Sequence, residues 1–221
     1  MRTIKKTDIN NLYAIDKNLC TLNTVPGFKS YDEKTIKIKK DEYRFWNPKK
    51  SKLAAAILKQ IKGIQIKKDD NILYLGAASG TTVSHISDIV TEGFIYSVEM
   101  SHTPLRDLIL VAEKRRNIIP IHGDANKPEE YSNIVEKCDI VYQDIAQKEQ
   151  TKIFLKNVLK YLKKEGIGML CIKSRSIDVV KKPDEIYKIV EEELKKSVKI
   201  IDAKKLEPFE KDHMFFVIHK S

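Results

Sequence analysis

Residues 71–82 read NILYLGAASGTT, from Asn71 to Thr82. Four strand-forming residues, Ile72 to Leu75, run into Gly76. A loop of small residues follows (Ala77, Ala78, Ser79, Gly80), and Thr81 and Thr82 open a segment of helical pattern that continues to Val90. A strand, a small-residue loop and a helix start make a nucleotide-type pocket, because small side chains let a ligand approach the backbone. Acidic residues stand at the ends of the next two predicted strands, Glu99 after FIYSV and Asp124 after IIPIHG. Glu99 lies 23 positions beyond Gly76, near the spacing at which a carboxylate reaches a ribose hydroxyl in α/β nucleotide folds.

The loop is poor in glycine. A dinucleotide fold wants G-x-G-x-x-G, but position 78 is Ala78, and a P-loop would need Gly-Lys-Ser/Thr, which is absent. A ligand without phosphates suits such a loop, and S-adenosylmethionine is one. Glu99 would accept from its ribose, Asp124 from its adenine amino group, and Gly76 and Ala77 would allow backbone contact with its amino-acid part. The competing reading is a doubly wound fold with ordinary turn residues.

From Asn71 onward strands and helices alternate, which predicts a parallel α/β sheet. The expected strands are 71–76, 94–99, 117–122, 138–143, 167–173, 197–202 and 214–219, the last two joined by an eleven-residue loop, AKKLEPFEKDH. Helices are expected near 81–91, 103–115, 129–136, 148–163 and 183–196. Seven strands ending in a hairpin predict the class I methyltransferase sheet, doubly wound and mostly parallel, with its last strand antiparallel. That strand then starts at the edge where the parallel strands end, which is where open α/β sheets bind ligands.

Residues 1–47 read differently. LYAI, NTVPGF, KTIKIKK and EYRFW are short strand-like pieces between turns, with Ile36 and Ile38 on one face and Lys37 and Lys39 on the other. They predict a small β-rich amino-terminal domain, too small to be stable alone. Pro48 marks the boundary with a domain over 48–221. That domain opens with an amphipathic helix over 49–61, ended by Gly63.

Composition bounds the remaining possibilities. The chain has 221 residues, enough for a real core, and 42% of them are hydrophobic. No apolar run approaches the roughly 18 residues of a membrane span, and the amino terminus has no h-region, so neither a membrane nor secretion is expected. Cys20, Cys138 and Cys171 show neither metal spacing nor a disulfide framework. The expectation is an intracellular, reducing compartment and no metal site. A formal charge of +10 favours a polyanionic partner, although lysine-rich composition bias produces the same figure.

Four further groups should reach the ligand edge. Asp144 ends DIVYQD, Lys173 ends GMLCIK, His213 precedes the last strand, and Lys52 sits on the entering helix. Each also has an ordinary structural role. Lys52 would be a solvated helix lysine, Asp144 an N-cap, Lys173 a strand end and His213 a loop residue.

The segments EYRFWNPKKSKLAAAI, LGAASGTTVSHISDIV, VEMSHTPLRDL, PIHGDANKPEEY, YQDIAQKEQ, IKSRSID and EPFEKDHMFFV occur in that order. Together they resemble the archaeal fibrillarin-like methyltransferases over nearly the whole chain. The resemblance implies a ribose 2′-O-methyltransferase using S-adenosylmethionine, cytoplasmic if archaeal. It implies work on rRNA and tRNA within a box C/D guide ribonucleoprotein, beside a Nop-domain scaffold protein and a kink-turn-binding ribosomal-type protein. The family's cofactor contacts fall on Thr81, Thr82, Glu99, Met100, Asp124, Ala125 and the run Asp144, Ile145, Ala146, Gln147. Its Lys-Asp-Lys-His active site falls on Lys52, Asp144, Lys173 and His213. Lys173, expected to be partly buried, would orient the 2′-hydroxyl or also accept its proton, while His213 helps hold the ribose or the lysine network. No aromatic platform for stacking bases stands out, so target choice is assigned to the guide RNA. The alternatives are a nicotinamide-dependent dehydrogenase, an inactive RNA- or protein-binding subunit, and a small-molecule methyltransferase.

Overall fold

Strand β6 (Ile72–Leu75) is buried at every position, as a strand covered on both faces by helices must be. In the computed structural model, which describes residues 3–220, it is an interior strand of a seven-stranded sheet. The other members are β7 (Ile95–Glu99), β8 (Ile118–His122), β9 (Cys138–Gln143), β10 (Leu162–Lys173), β11 (Lys199–Lys205) and β12 (His213–His219), in the order β11-β12-β10-β9-β6-β7-β8. Pairs β9/β10, β6/β9, β6/β7 and β7/β8 are parallel, whereas β12 is antiparallel to both β10 and β11. This is the class I methyltransferase sheet that the alternation predicts, with the reversed last strand.

Helices cover the sheet: α1 (Lys52–Leu58), α2 (Thr81–Ile89), α3 (His102–Lys114), α4 (Gln150–Tyr161), the short α5 (Ser174–Ile177) and α6 (Pro183–Lys195). Two apolar clusters fill the faces. One joins α1, α2 and α3 to Ile72, Tyr74, Tyr142, Cys171 and Phe215, and the other joins α4 and α6 to Leu73, Leu75, Leu170 and Phe216. No helix among the described residues is long and apolar enough to cross a membrane.

Several boundaries differ from the sequence reading. The segment 129–136 is not a helix but a succession of tight turns, including Glu130 N–H to the Lys127 carbonyl and Ser132 N–H to that of Glu129. It is held down by Tyr131, whose buried hydroxyl donates to Asn157 on α4. Helix α1 starts at the Ser51 N-cap and ends at Lys59, so Gly63 lies beyond its C-cap. Strand β10 begins before the expected residue 167, with a register shift between Leu162 and Ile167 and Glu165 in a left-handed conformation. Strand β11 runs on to Lys205, leaving only 206–212 as the final connection.

Before this sheet comes a second, antiparallel one, in the order β1 (Ile4–Lys6), β2 (Leu12–Ile15), β3 (Asn18–Leu22), β5 (Asp41–Phe45), β4 (Thr35–Ile38). Ile36 and Ile38 pack on Ile15, Cys20 and Tyr43 on one face, while Leu12, Leu19 and Trp46 join the main core. Arg44, between Tyr43 and Phe45, is fully buried rather than solvated. Its guanidinium meets Glu33 at 2.7 Å and Asp88 of α2 at 2.7 Å, and Arg115 reaches the other oxygen of Asp88 at 2.6 Å. The Thr21 hydroxyl also donates to Asp88, so it accepts from Nδ1 of His85 at 2.8 Å. Nε2 of His85 therefore accepts from the Tyr31 hydroxyl at 2.6 Å, and the imidazole is neutral.

Both titrating groups of this network link stability to pH. Burial, reinforced by Arg44 and Arg115, drives His85 well below the usual histidine range. The unfolded chain protonates this side chain near pH 6.5 while the folded chain does not, so stability falls as pH drops below about 6.5. For Asp88 burial alone would raise the carboxyl, but Arg115 and Arg44 outweigh it and hold it below the ordinary value. Its contribution is present above about pH 3.9 and is lost as pH falls through the depressed folded value. A thermal-melt series from pH 7.5 to pH 5 should show a falling midpoint that is blunted in His85→Gln. Removing one partner of a buried ion pair costs about 3–5 kcal/mol, so Asp88→Asn should show a loss of that size in denaturant titration.

Candidate active site

The parallel strands all end on one side of the sheet, and β6 and β9 end so close together that no side chain fits between them. A Cβ on Gly76 would lie 2.4 Å from the Asp144 carbonyl oxygen, and Gly76 itself has φ 82°. Gly80, at φ 87°, is the N-cap of α2 and supplies no side-chain cap, so N–H groups of the first turn have no side-chain partner there. Glu99, at the end of β7, fixes the loop between them. One carboxylate oxygen accepts from Ala78 N–H at 2.9 Å and the other from Ser101 N–H at 2.7 Å.

These loops surround a cleft of about 240 Å³. Of the residues expected to contact a cofactor, Gly76, Glu99, Met100 and Ala125 line it, together with the run Asp144 to Gln147. Ala77, Thr81, Thr82 and Asp124 do not. Ala77 is 4% exposed and packs into the core. Asp124 accepts from Asn126 N–H at 2.9 Å, which shapes the turn between the lining residues Gly123 and Ala125. Ala78, Val98 and Ser101 also line the cleft and were absent from the expectation. Thr82 turns inward and donates to the Ser51 hydroxyl at 3.0 Å. Ser51 caps α1, whose first residue is Lys52, so one hydroxyl pair ties the cofactor loop to that lysine.

Lys52 reaches over the cleft mouth to Asp144, with Nζ 3.4 Å from Oδ2. Burial is the largest single influence and would lower this lysine, but Asp144, with Cys171 and Glu210 adding to it, turns the net shift upward, so Lys52 stays cationic. Beneath the pair lies Cys171, whose thiol is pushed well up by burial and then by Asp144. Lys173 follows Cys171 by two positions on β10 and so faces the same side. Its register partner across the antiparallel ladder is His213, the first residue of β12 rather than a loop residue before it. His213 is 7% exposed, and its Nδ1 donates to the Lys211 carbonyl at 2.6 Å, which leaves Nε2 outside that bond. Lys173 is exposed, contrary to the expected partial burial, because β10 ends at the open rim and turns directly into α5.

What holds Lys173 in place is a residue that the sequence reading missed. Gln150, fully buried at the start of α4, accepts from Lys173 N–H at 3.1 Å and donates to the Lys173 carbonyl at 3.2 Å. Gln143 in turn donates to the Gln150 carbonyl at 2.7 Å. The available signal was an uncharged polar residue, Gln143, at the end of an apolar strand, where a buried amide N–H calls for an acceptor.

Comparison with known proteins now adds to this geometry. The family described as Fibrillarin matches residues 3–221. A Methanocaldococcus jannaschii protein named fibrillarin-like rRNA/tRNA 2′-O-methyltransferase is 52% identical over 224 residues, covering 98% of this chain and 97% of that one. The structure of Aeropyrum pernix fibrillarin in complex with natively bound S-adenosyl-L-methionine superposes with a TM-score of 0.90 at 41% identity, over 98% of this chain and 97% of that one. Fibrillarin in a fibrillarin/Nop5p complex gives a TM-score of 0.91 at 43% identity, over 98% and 100%. The fold and the rim define an S-adenosylmethionine-dependent type of methyltransferase. The chain belongs to the fibrillarin family.

Gly76→Ala tests the cleft directly. The added methyl must displace the Asp144 backbone and strains a positive φ, so S-adenosylmethionine affinity in isothermal titration should fall roughly tenfold or more, about 1.4 kcal/mol.

Proposed function

We propose that this chain transfers the methyl group of S-adenosylmethionine to a ribose 2′-hydroxyl of RNA. It would do so as the catalytic subunit of a box C/D guide ribonucleoprotein acting on pre-rRNA and tRNA. The observation that carries this reading is the Lys52–Asp144 pair at the cleft mouth, beside Lys173 and its register partner His213. A small-molecule methyltransferase has no need of such a lysine-bearing open rim, and a dehydrogenase would need a glycine at position 78.

The residues present fit the cofactor. Glu99 keeps acceptor capacity for a ribose diol besides its two backbone bonds. The first turn of α2 is suited to a carboxylate, and Gly76 allows close backbone approach. Asp124, beside the cleft, remains the acceptor we assign to the adenine amino group, through the oxygen not used by Asn126. When bound, the cofactor supplies a methyl group already activated by its sulfonium.

The chain's own residues then have the task of placing and deprotonating a weak nucleophile. Lys173, anchored through its backbone by Gln150, orients the 2′-hydroxyl and is available as its proton acceptor. Lys52 remains charged, while Asp144 fixes Lys52 and offsets positive charge at the mouth. His213, cross-strand from Lys173, would help hold the ribose or the lysine network. Alignment of hydroxyl with methyl supplies a large part of the rate.

The partners follow the same reading: a Nop-domain scaffold, a kink-turn-binding ribosomal-type protein and a guide RNA that selects the target. Residues 1–47 and 48–221 are taken as two units of one catalytic subunit. The particle reconstituted with these partners should place a tritiated methyl group at a single guided ribose. Lys173→Ala should lower that rate by about 10²-fold or more while leaving S-adenosylmethionine binding intact. Near-normal methylation by the variant would remove Lys173 from the mechanism.

A further inference from the structure

A second groove, of about 670 Å³, opens where β3 and β5 of the amino-terminal sheet meet α1 and the connection 206–212. Its wall carries aromatic rings from distant parts of the sequence: Tyr31, Phe45, Trp46 and Phe209. Its rim carries Lys17, Lys34 and Lys50. Of the acids beside it, Glu33 is buried against Arg44, and Asp32 is held by Lys50 at 2.5 Å in an exposed pair. Exposed pairs of this kind are worth little and open readily to a competing anion. Among the described residues no carboxylate pairs with Lys17 or Lys34. Trp46 is 1% exposed, and its indole N–H finds no acceptor among the described residues.

Two chain segments lead from the groove to the catalytic rim. Lys50 stands two residues before Lys52, and Phe209 belongs to the connection that leads into His213. From the same connection Glu210 acts electrostatically on Lys52. A strand whose ribose sits at Lys173 and His213 therefore has this groove as its neighbour. Lysines around an aromatic wall are the chemistry of single-stranded nucleic-acid binding, with phosphates on the cations and base faces on the rings.

We propose that this groove is an RNA subsite for target-strand nucleotides flanking the methylated one, with phosphates held by Lys17, Lys34 and Lys50 and a base set against the aromatic wall. The inference rests on the reading of the chain as an RNA ribose methyltransferase and adds to it a place where this chain itself holds its substrate. Lys17 and Lys34 lie outside the cofactor cleft and away from the catalytic groups, so they can be changed without touching either.

The test compares the wild-type particle with one carrying Lys17→Glu and Lys34→Glu, assembled with the same scaffold, kink-turn protein and guide RNA. Target strands carry 4-thiouridine at positions flanking the methylated nucleotide. The expected result is a raised KM for the target RNA, a slope of log affinity against log salt shallower by about 2, and loss of a photo-crosslink to peptides containing Phe45 or Phe209. S-adenosylmethionine affinity and particle assembly should be unchanged. An unaltered KM, salt slope and crosslink map in an active particle would overturn the subsite and leave the methyltransferase reading standing. If the wild-type particle methylates no ribose at all, the functional reading itself fails. If the variant loses the scaffold protein while its RNA contacts are unchanged, the groove belongs to a protein partner and the proposal is overturned.

Discussion

A single carboxylate, Asp88, sits between Arg44 and Arg115 with no exposure to water on any of the three side chains. Buried charges survive only when paired and fully hydrogen-bonded, and this one satisfies both conditions. It takes two guanidinium contacts, two threonine hydroxyls and the Thr24 backbone N–H. The consequence is architectural. Asp88 is near the end of α2, and α2 begins at the Gly76–Gly80 loop. The amino-terminal sheet is thus bolted to the far end of the helix that follows the Gly76–Gly80 loop. The sheet cannot shift without disturbing that helix, because a displaced arginine would leave an unpaired buried charge.

The active rim follows from strand direction. Parallel strands deliver Gly76, Glu99 and Asp144 by their carboxyl ends, and the reversed β12 delivers His213 by its amino end. Crowding at this edge is severe enough to require glycine at position 76. Lys52 comes from outside the sheet altogether, positioned by the Ser51 cap and its hydrogen bond to Thr82. Two lysines at this edge thus come from unrelated elements, one side chain paired with a carboxylate and the other residue held by its backbone.

Much of this was legible in the chain. The alternation of strand and helix from Asn71 predicts the sheet, and the terminal hairpin predicts the reversal of β12. Glu99 was legible because its spacing from Gly76 reflects one βαβ unit. Less legible were features decided by tertiary contacts. The segment 129–136 has helical spacing, yet Tyr131 is claimed by Asn157 of α4 and the backbone settles into turns. Arg44 alternates with Tyr43 and Phe45 and so reads as a solvent-facing residue. Only Asp88 and Glu33, remote in sequence, explain its burial. The family resemblance assigns Thr82 to the cofactor, but its hydroxyl donates to Ser51. The aromatic groove was invisible for a similar reason, since Tyr31, Phe45 and Phe209 share a wall without sharing a pattern.

The Gln150 amide grips both polar groups of the Lys173 peptide while its side chain remains in water. The result is a fixed pivot carrying a mobile arm. Stilling a lysine side chain costs up to about 2 kcal/mol of rotamer entropy, and under the proposed function that toll would fall only on a complex in which the ribose is seated. RNA resting on the protein without presenting its hydroxyl would escape the toll. The proposed arrangement would let strands come and go cheaply while they are searched, and reserve immobilisation for the one nucleotide that has arrived in register.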